Sequence, residues 1–386
     1  MKIERLSAKD FEEAMDFINM VFSMAHCPFD FAKFLPRLYQ PTDEHMSRNL
    51  VVRENGRIRG LVGMYPDHVQ VGDVVLNLGG IGAVSSHPND RGKGWMKLLV
   101  EKQVEQMKEE HYDISFLIGQ RQRYMYFGYE KTGQMLEFKV NKSNIKHYQQ
   151  QDEATQFSFI RMHAEDVAGI EKAKLLHDMQ PVYCIRPEEA FFQYLSTGFM
   201  QPWAVLDQTG KMIGYLAANG ENKKIVELFV EESASLTCIL RSWLVQQNVQ
   251  EVTIIQPIWA KHVSQCLGNL AEDMQITGSG NWQMFHWDKV ISALLSVKGK
   301  QQQLMDGSLC IGIMGYGNLH LEVCGNSVNC ELTTAQADVQ WDALIATRMM
   351  FGHVPPSIIT SIPKPIQPVL ASWFPLPLSW LPQNYV

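Results

Sequence analysis

Apolar residues recur along the chain in blocks whose spacing switches between strand-like and helix-like. Residues 1–7 read as a strand, and 10–23 as an amphipathic helix with Phe11, Met15, Ile18 and Phe22 on one stripe. Residues 49–54 and 58–65 read as strands around Asn55-Gly56, a pair that favours the left-handed dihedrals of a hairpin turn. Val69, Val71 and the run 74–78 predict a further hairpin, and Ile81, Ala83 and Val84 another strand, separated from it by Gly79-Gly80. Met96, Leu99, Val100, Val104 and Met107 return to helical spacing. Residues 113–118 read as a buried strand.

A polar stretch at 146–157, with Gln149 and Asp152, reads as a linker, and a fainter echo of the same order follows. Residues 157–162 predict a strand, 164–177 a helix, and 203–206 with 212–218 a hairpin. Residues 225–230 predict a strand, Leu236, Leu240 and Leu244 a helix, and 252–255 a further strand. A third part starts near Asp288, with a helix through Ile291, Leu294 and Leu295. It continues with strands at 308–313, 318–323 and 327–332 and a helix over 339–351. The chain therefore divides into 1–145, 146–287 and 288–386, and its 386 residues suit two or three cores better than one.

Composition narrows the function classes. A hydrophobic content of 46% with 19% charge is that of an ordinary globular protein. The net charge of −7 argues against nucleic acid as the main partner. No run approaches the roughly 20 apolar residues of a membrane span, and Met1-Lys2-Ile3-Glu4-Arg5 is not a signal peptide, so a cytosolic location is expected. The seven cysteines include no Cys-x-x-Cys pair, which fits reduced thiols. Histidines and carboxylates form no ligand-spaced motif, so no metal is expected.

The most informative segment is 84–96, Val-Ser-Ser-His-Pro-Asn-Asp-Arg-Gly-Lys-Gly-Trp-Met, between a strand and a helix. Gly92 and Gly94 let the backbone curl so that several N–H groups converge, and the helix N-terminus adds its positive dipole end. Such a turn suits a phosphate or pyrophosphate; its alternative is a charged turn ahead of an amphipathic helix. His87, before Pro88, reads as a turn residue rather than a base.

Arg91, Gly92, Lys93, Gly94 and Trp95 resemble the acetyl-coenzyme A loop of the GNAT N-acetyltransferases, Arg/Gln-x-x-Gly-x-Gly/Ala after a splayed strand. Met96 stands where a small residue is usual, a departure typical of the Eis-like (enhanced intracellular survival) branch. The resemblance implies an α+β fold: two GNAT-like domains in tandem with mixed, mostly antiparallel sheets, then a sterol-carrier-like domain. It implies acetyl-CoA as co-substrate, a primary amine on an aminoglycoside, polyamine or lysine as acceptor, and a homo-oligomer, a hexamer in relatives. Backbone groups of Val84, Ser85 and Ser86 would pair with the pantetheine amides. Gly92, Lys93, Gly94, Trp95, Met96 and Lys97 would surround the pyrophosphate, with Arg91 adding charge. Gly119 and Gln120 would flank the pantetheine arm.

In GNAT enzymes a tyrosine opens a short helix that a Gly-aromatic pair closes five residues later; counting back from Gly128-Tyr129 gives Tyr124, with Tyr126 as the alternative register. A phenol, with an ordinary pKa of about 10, can protonate the departing thiolate. Phe22, Asp30 and Phe34, near His26, lie on the usual acceptor side, where Asp30 and aromatic faces could hold a cation or simply pack a corner. After Val230 the second domain has Glu231-Glu232-Ser233 in place of a glycine turn, so it is not expected to hold coenzyme A.

The tail, 355–386, is rich in proline and carries Trp373, Phe374, Trp380 and Tyr385 but only one charged side chain, Lys364. Prolines break helices and ladders, while the apolar content is wrong for a solvated tail, so an extended segment pinned by its aromatics is expected. In Eis-like enzymes the terminal carboxylate serves as general base; the resemblance carries that role to Val386 by position. The alternative is a tail that seals a domain or subunit interface. A non-catalytic carrier or sensor of coenzyme A or an apolar ligand is the rival to the enzyme reading.

Overall fold

The computed structural model describes residues 2–24, 28–148 and 156–386; His26, Cys27 and the 149–155 part of the expected linker lie outside the described residues. Two compact units emerge, one made of residues 1–133, 280–377 and 385–386, the other of 134–279 and 378–384. The sequence reading put these divisions at 145/146 and 287/288. Each unit is a mixed α+β body.

Unit 1 contains β1 (Lys2–Arg5), β2 (Asn49–Glu54), β3 (Arg57–Val71), β4 (Val74–Ser86), β5 (Ile114–Leu117) and β6 (Glu130–Thr132). Its helices in this part are α1 (Phe11–Ser23), α2 (Phe31–Phe34), α3 (Asp43–Met46), α4 (Trp95–Glu109) and α5 (Arg121–Tyr124). The chain then supplies β7 (Met135–Asn141), β8 (Ser158–Arg161), β9 (Val182–Cys184), β10 (Gln201–Leu206), β11 (Met212–Ala218), β12 (Lys224–Val230), β13 (Glu251–Pro257) and β14 (Asp273–Thr277) to unit 2. It returns to unit 1 with β15 (Gly280–Met284). The path of the first sheet is β1-β2-β3-β4-β5-β15-β6, with β4 and β5 parallel. The second runs β14-β7-β13-β12-β11-β10-β8, with β12 and β13 parallel. The same plan, antiparallel strands leading into one parallel pair, appears in both sheets.

Two of the expected strand breaks are absent. β4 runs unbroken through Gly79-Gly80, and β3 runs unbroken through Pro66. The glycines mark close approach rather than a turn: Gly79 faces Met107 and Gly80 faces Val386, so neither position has room for a side chain. Helix α4 covers this sheet with Leu99, Val100, Val104 and Met107, which pack on Val62, Met64 and Ile81. α1 and α2 contribute a second core, with Ile18, Phe31, Leu61 and Tyr65.

The C-terminal part of unit 1 has a long helix, Trp287–Gln301, and a four-stranded sheet. Its strands are β16 (Gly307–Ile313), β17 (Gly317–Cys324), β18 (Ser327–Thr333) and β19 (Val339–Trp341), in the order β18-β17-β16-β19. The helix expected over 339–351 is thus a short strand followed by Ala343–Phe351. Asp342 causes the break by accepting hydrogen bonds from the Leu344 and Ile345 N–H groups as helix cap. The tail is less extended than its prolines suggest, since 356–359 and 367–373 are helical. Its aromatics are pinned: Trp373, Phe374 and Trp380 are buried, and the Trp373 indole donates to the Met305 carbonyl at 2.8 Å. Among the described residues no helix is long and apolar enough to cross a membrane.

Unit 2 is organised around Trp243 and, apart from it, a fully buried ion pair. Arg186 donates to both carboxylate oxygens of Glu227 at 2.8 and 2.7 Å, and the Tyr215 hydroxyl donates to Glu227 at 2.6 Å. Arg186 also reaches the Asn384 side chain at 2.8 Å. Burial pushes the Glu227 carboxyl up, but the adjacent guanidinium outweighs it and holds the group below the usual range. Replacing Glu227 by alanine leaves a buried guanidinium uncompensated. We expect Glu227→Ala to cost about 3–5 kcal/mol, read as a lower denaturation midpoint, with Glu227→Gln intermediate. An unchanged midpoint would show that the pair contributes nothing.

Candidate active site

β4 provides the axis of the site. Its pairing with β5 begins at Leu78 and Ile114 and stops at Ile81 and Leu117, while β4 continues to Ser86. Beyond Ile81, β4 pairs with β3 alone, so among the described strands the backbone edge 82–86 faces no neighbour. A bulge falls there: Leu61 faces Ser85 and Gly63 faces Gly82, so Ala83 and Val84 together oppose Val62, and Ala83 takes a φ of 51°. The Ser85 side chain is buried and its hydroxyl has no hydrogen-bond partner among the described residues. A strand edge with open N–H and C=O groups can take an extended ligand carrying amides.

At the far end of this edge, the turn 87–94 leads into α4. Pro88–Asp90 form one 3-10 turn; Gly92 and Gly94 then adopt φ values of 88° and 81°, the left-handed region open to glycine. Gly94 is the residue preceding α4 and offers no capping side chain, so the first N–H groups of α4 have no side-chain acceptor there. The space over both glycines is open. Arg91, Lys93 and Lys97 are exposed, and Trp95 and Met96 are half-buried at the first turn. Gly60 on β3 allows Trp95 to approach: a methyl group there would stand 3.1 Å from the Trp95 Cβ. The Lys93 ammonium binds Asp90 at 2.7 Å and Glu54 at 3.1 Å, which raises its pKa and spends its charge inside the turn. Arg59 and Lys93 hold the Asp90 carboxyl below its ordinary range and fix the turn from beneath. The anion-binding capacity of this turn therefore rests on N–H groups, the α4 dipole and Arg91.

On the other side of the opening, Ile118, Gly119 and Gln120 are exposed after β5. The Asn281 side chain on β15 donates to the Gly119 carbonyl at 2.9 Å and fixes this strand end. α5 follows, and Tyr124 at its end is buried with its ring against Gly119, where any side chain would collide with it. The Tyr124 hydroxyl has no hydrogen-bond partner among the described residues. Burial raises its pKa above the ordinary phenol value, so it holds its proton. Arg121 anchors α5 on the fully buried Glu130, with a hydrogen bond of 2.7 Å, and Arg348 approaches the same carboxylate at 3.6 Å. Tyr126, the alternative register, is 85% exposed.

The chain terminus lies on the other face of β4. Methyl groups added at Gly80 and Gly82 would stand 2.7 Å from a Val386 side-chain carbon and 2.7 Å from its carboxyl carbon, respectively. The slot is floored by Gly80, Gly82 and the edge of Tyr65, whose hydroxyl donates to Tyr39 at 2.7 Å. Arg37, buried, donates to the Tyr385 carbonyl at 3.2 Å and pairs with Asp67 at 3.5 Å. Tyr385 is further held against Phe116, ring centroids 5.7 Å apart. Val386 itself is half-buried, and among the described residues its carboxylate makes no hydrogen bond or ion pair.

Phe22 and Phe34 are half-buried around Phe31 and Phe29 in the α1–α2 corner, part of the cluster that Val386 packs against. Asp30 is otherwise engaged: it accepts from the Lys33 N–H at 3.2 Å as cap of α2 and pairs with the Lys33 ammonium at 3.0 Å. These contacts hold its carboxyl below the usual range.

Residues 2–132 match the family described as acetyltransferase (GNAT) domain. This segment is a GNAT acetyltransferase domain. Its open β4 edge, glycine turn and Tyr124 all fall within the matched residues. The chain as a whole is similar in fold to a probable N-acyltransferase from Enterococcus faecalis V583 (TM-score 0.71, 14% identity, covering 100% of this chain and 99% of that one). It is similar also to Eis1 from Mycobacterium abscessus (0.69, 13%, 100% and 100%) and to a GCN5-related N-acetyltransferase from Kribbella flavida (0.68, 15%, 100% and 98%). No curated protein matches the sequence.

Beyond the GNAT domain, the described residues of unit 2 show no comparable glycine turn after β12. After β12 its chain passes through Glu231 and Glu232 into a 3-10 turn, Ser233–Ser235, and Glu231 is tied to Lys172 and Lys211. Sequence reasoning missed Gly80, Gly82, Arg37, Asp67 and Asn281. The alternation Gly80-x-Gly82 was a signal, because two glycines on one strand face leave a groove. The partners of Arg37 and Asn281 left no local trace.

Proposed function

We propose that the protein is an acetyl-CoA-dependent N-acetyltransferase that acts on a primary amine by direct transfer in a ternary complex. The N–H groups from Gly92 to Lys97 receive the pyrophosphate, with Arg91 adding charge. The edge at Val84, Ser85 and Ser86 pairs with the pantetheine amides, and Gly119 and Gln120 flank the arm. The amine nitrogen attacks the thioester carbonyl and the C–S bond breaks. Before the attack the Val386 carboxylate holds the ammonium and takes one of its protons, which frees the nitrogen lone pair; as the C–S bond breaks, Tyr124 gives its proton to the leaving sulfur, and the second proton shed by the nitrogen returns to the phenolate through solvent. Bringing both substrates together supplies much of the rate. The 146–287 and 288–386 regions, the latter read as sterol-carrier-like, serve as scaffold and deliver the terminus.

One observation carries this reading: the glycine turn and the chain terminus lie at two ends of the same unpaired stretch of β4. Val386 is half-buried and its carboxylate has no partner among the described residues, which leaves the charge available to a cation. Calorimetry with acetyl-CoA, followed by thiol release with an amine, tests it. Gly92→Val combined with Gly94→Val forces two side chains into left-handed backbone at about 1–2 kcal/mol each and uncurls the turn. The double variant should weaken acetyl-CoA binding at least about tenfold, with its melting curve recording the folded state. Unchanged affinity, or no affinity in the parent protein, overturns the reading.

A further inference from the structure

β15 lies outside the residues that match the GNAT family, yet it sits between two strands inside the match, β5 and β6. Its residues 281–284 pair with 117–114 of β5, and its residues 280–282 with 132–130 of β6. Backbone pairing with β5 therefore ends at Leu117, the last residue of that strand. Past that point the Asn281 side chain continues the ladder. Its Nδ2 donates to the Gly119 carbonyl at 2.9 Å and to the Leu117 carbonyl at 3.4 Å. Asn281 is 2% exposed, whereas Gly119 is exposed, so a buried amide holds a surface residue in place.

The residue held in this way seats the proposed proton donor. Gly119 lies directly against the Tyr124 ring, where a side chain would collide with it. Gln283, two residues along β15 and so on the same face as Asn281, lies against Gly128. A methyl group on Gly128 would stand 2.6 Å from the Gln283 Nε2. Asn281 and Gln283 thus back both ends of the segment 119–128 that carries Tyr124. Further ties of this segment are local: Arg121 on Glu130, and the Tyr129 N–H on the Tyr124 carbonyl at 3.3 Å.

We propose that Asn281 is a positioning residue for proton delivery to the leaving thiol: by holding the Gly119 carbonyl it fixes the surface on which the Tyr124 ring rests, and so the place of the Tyr124 hydroxyl. This rests on the reading of Tyr124 as proton donor. Proton transfer needs the hydroxyl within hydrogen-bond reach of the sulfur, so a shift of about 1 Å weakens it strongly. Once its carbonyl is released, a glycine at 119 leaves the backbone free to take many conformations. The exposed carbonyl would then bond to water, so the loss falls on geometry more than on stability.

The test is a double-mutant cycle on thiol release from acetyl-CoA, with spermidine, kanamycin and a lysyl peptide as amines. Asn281→Ala should lower kcat about tenfold or more, with a melting temperature within about 4 °C of the parent. Asn281→Gln keeps both N–H groups one methylene further out and should fall between the two. Combining Asn281→Ala with Tyr124→Phe should leave kcat within about twofold of Tyr124→Phe alone, because no proton remains to be positioned. Parental kcat in Asn281→Ala, or losses that multiply in the double variant, overturns the inference; if the alanine variant does not fold, the same cycle with Asn281→Gln decides it in the same terms. In those cases a lowered kcat in Tyr124→Phe keeps the acetyltransferase reading. Parental kcat in Tyr124→Phe, or no thiol release with any of these amines, sinks the assignment of Tyr124 and this inference with it.

Discussion

Extending the chain beyond Val386, by as little as a short C-terminal tag, should lower kcat by about a hundredfold or more while acetyl-CoA affinity stays within about twofold. The expectation follows from how little room the terminus has. Gly80 and Gly82 stand where any methyl group would press on the Val386 side chain or its carboxyl carbon, and Tyr65 closes the floor. An added peptide bond removes the charge, lengthens the chain at the most crowded point and forces the terminus out of its slot. The turn at 87–94, where the donor is proposed to bind, is not part of this slot, which is why the two readouts should separate. Gly82→Ala tests the same point from the opposite side. Its methyl would lie 2.7 Å from the carboxyl carbon, so the carboxylate should shift and kcat fall although Val386 is intact. A tagged enzyme with parental kcat would remove the terminus from the mechanism and leave it a packing role.

The acidity of the group shapes what it does. An α-carboxyl group ordinarily has a pKa near 3.5, far below that of an alkylammonium, so it is a poor base in water. In the proposed mechanism its value is to hold the ammonium beside the thioester and to relay one proton from it, so that the neutral amine is formed next to the carbonyl it attacks. Arg37 binds the Tyr385 carbonyl, which in the proposed mechanism would position the terminus for the acceptor. Burying Arg37 against Asp67 gives that clamp a fixed position.

What could be read from the sequence was local. The helix of Leu99, Val100 and Met107 and the turn at Gly92 and Gly94 are patterns within a few residues of each other that periodicity or turn chemistry exposes, while Tyr124 came only from the family resemblance and its spacing to Gly128-Tyr129. The fold class was legible for the same reason: the order of strands and helices repeats. What stayed hidden depends on pairs far apart in the chain. β15 enters the first sheet between β5 and β6 from a distance of about 150 residues, and no periodicity in 280–284 announces its partner. Gly79-Gly80 read as a break because glycine weakens strands; only the position of Val386, three hundred residues later, shows why Gly80 must lack a side chain. Asp30 looked available because a sequence does not show that Lys33 and the α2 N-terminus already use it.

Tyr124→Phe should lower kcat by roughly a hundredfold and leave the KM for acetyl-CoA little changed. The substitution keeps the ring that packs against Gly119 and lies 6.4 Å from Phe127, so the site keeps its shape and loses one proton donor. Nothing in the described protein occupies that hydroxyl, and Arg121 on Glu130 fixes the helix that presents it. Because burial raises its pKa above the usual value of about 10, the phenol stays protonated through the neutral range; any loss of rate from its ionisation should appear only at still higher pH, and should vanish in the variant. The defect should also shrink with acetyl donors whose thiols are more acidic, since such a leaving group departs as thiolate with less help. Tyr126→Phe, at the exposed neighbouring position, should change neither number. A Tyr124→Phe enzyme with parental kcat, or one whose loss is the same for every leaving thiol, would assign the tyrosine to packing and place the proton's source elsewhere in the site.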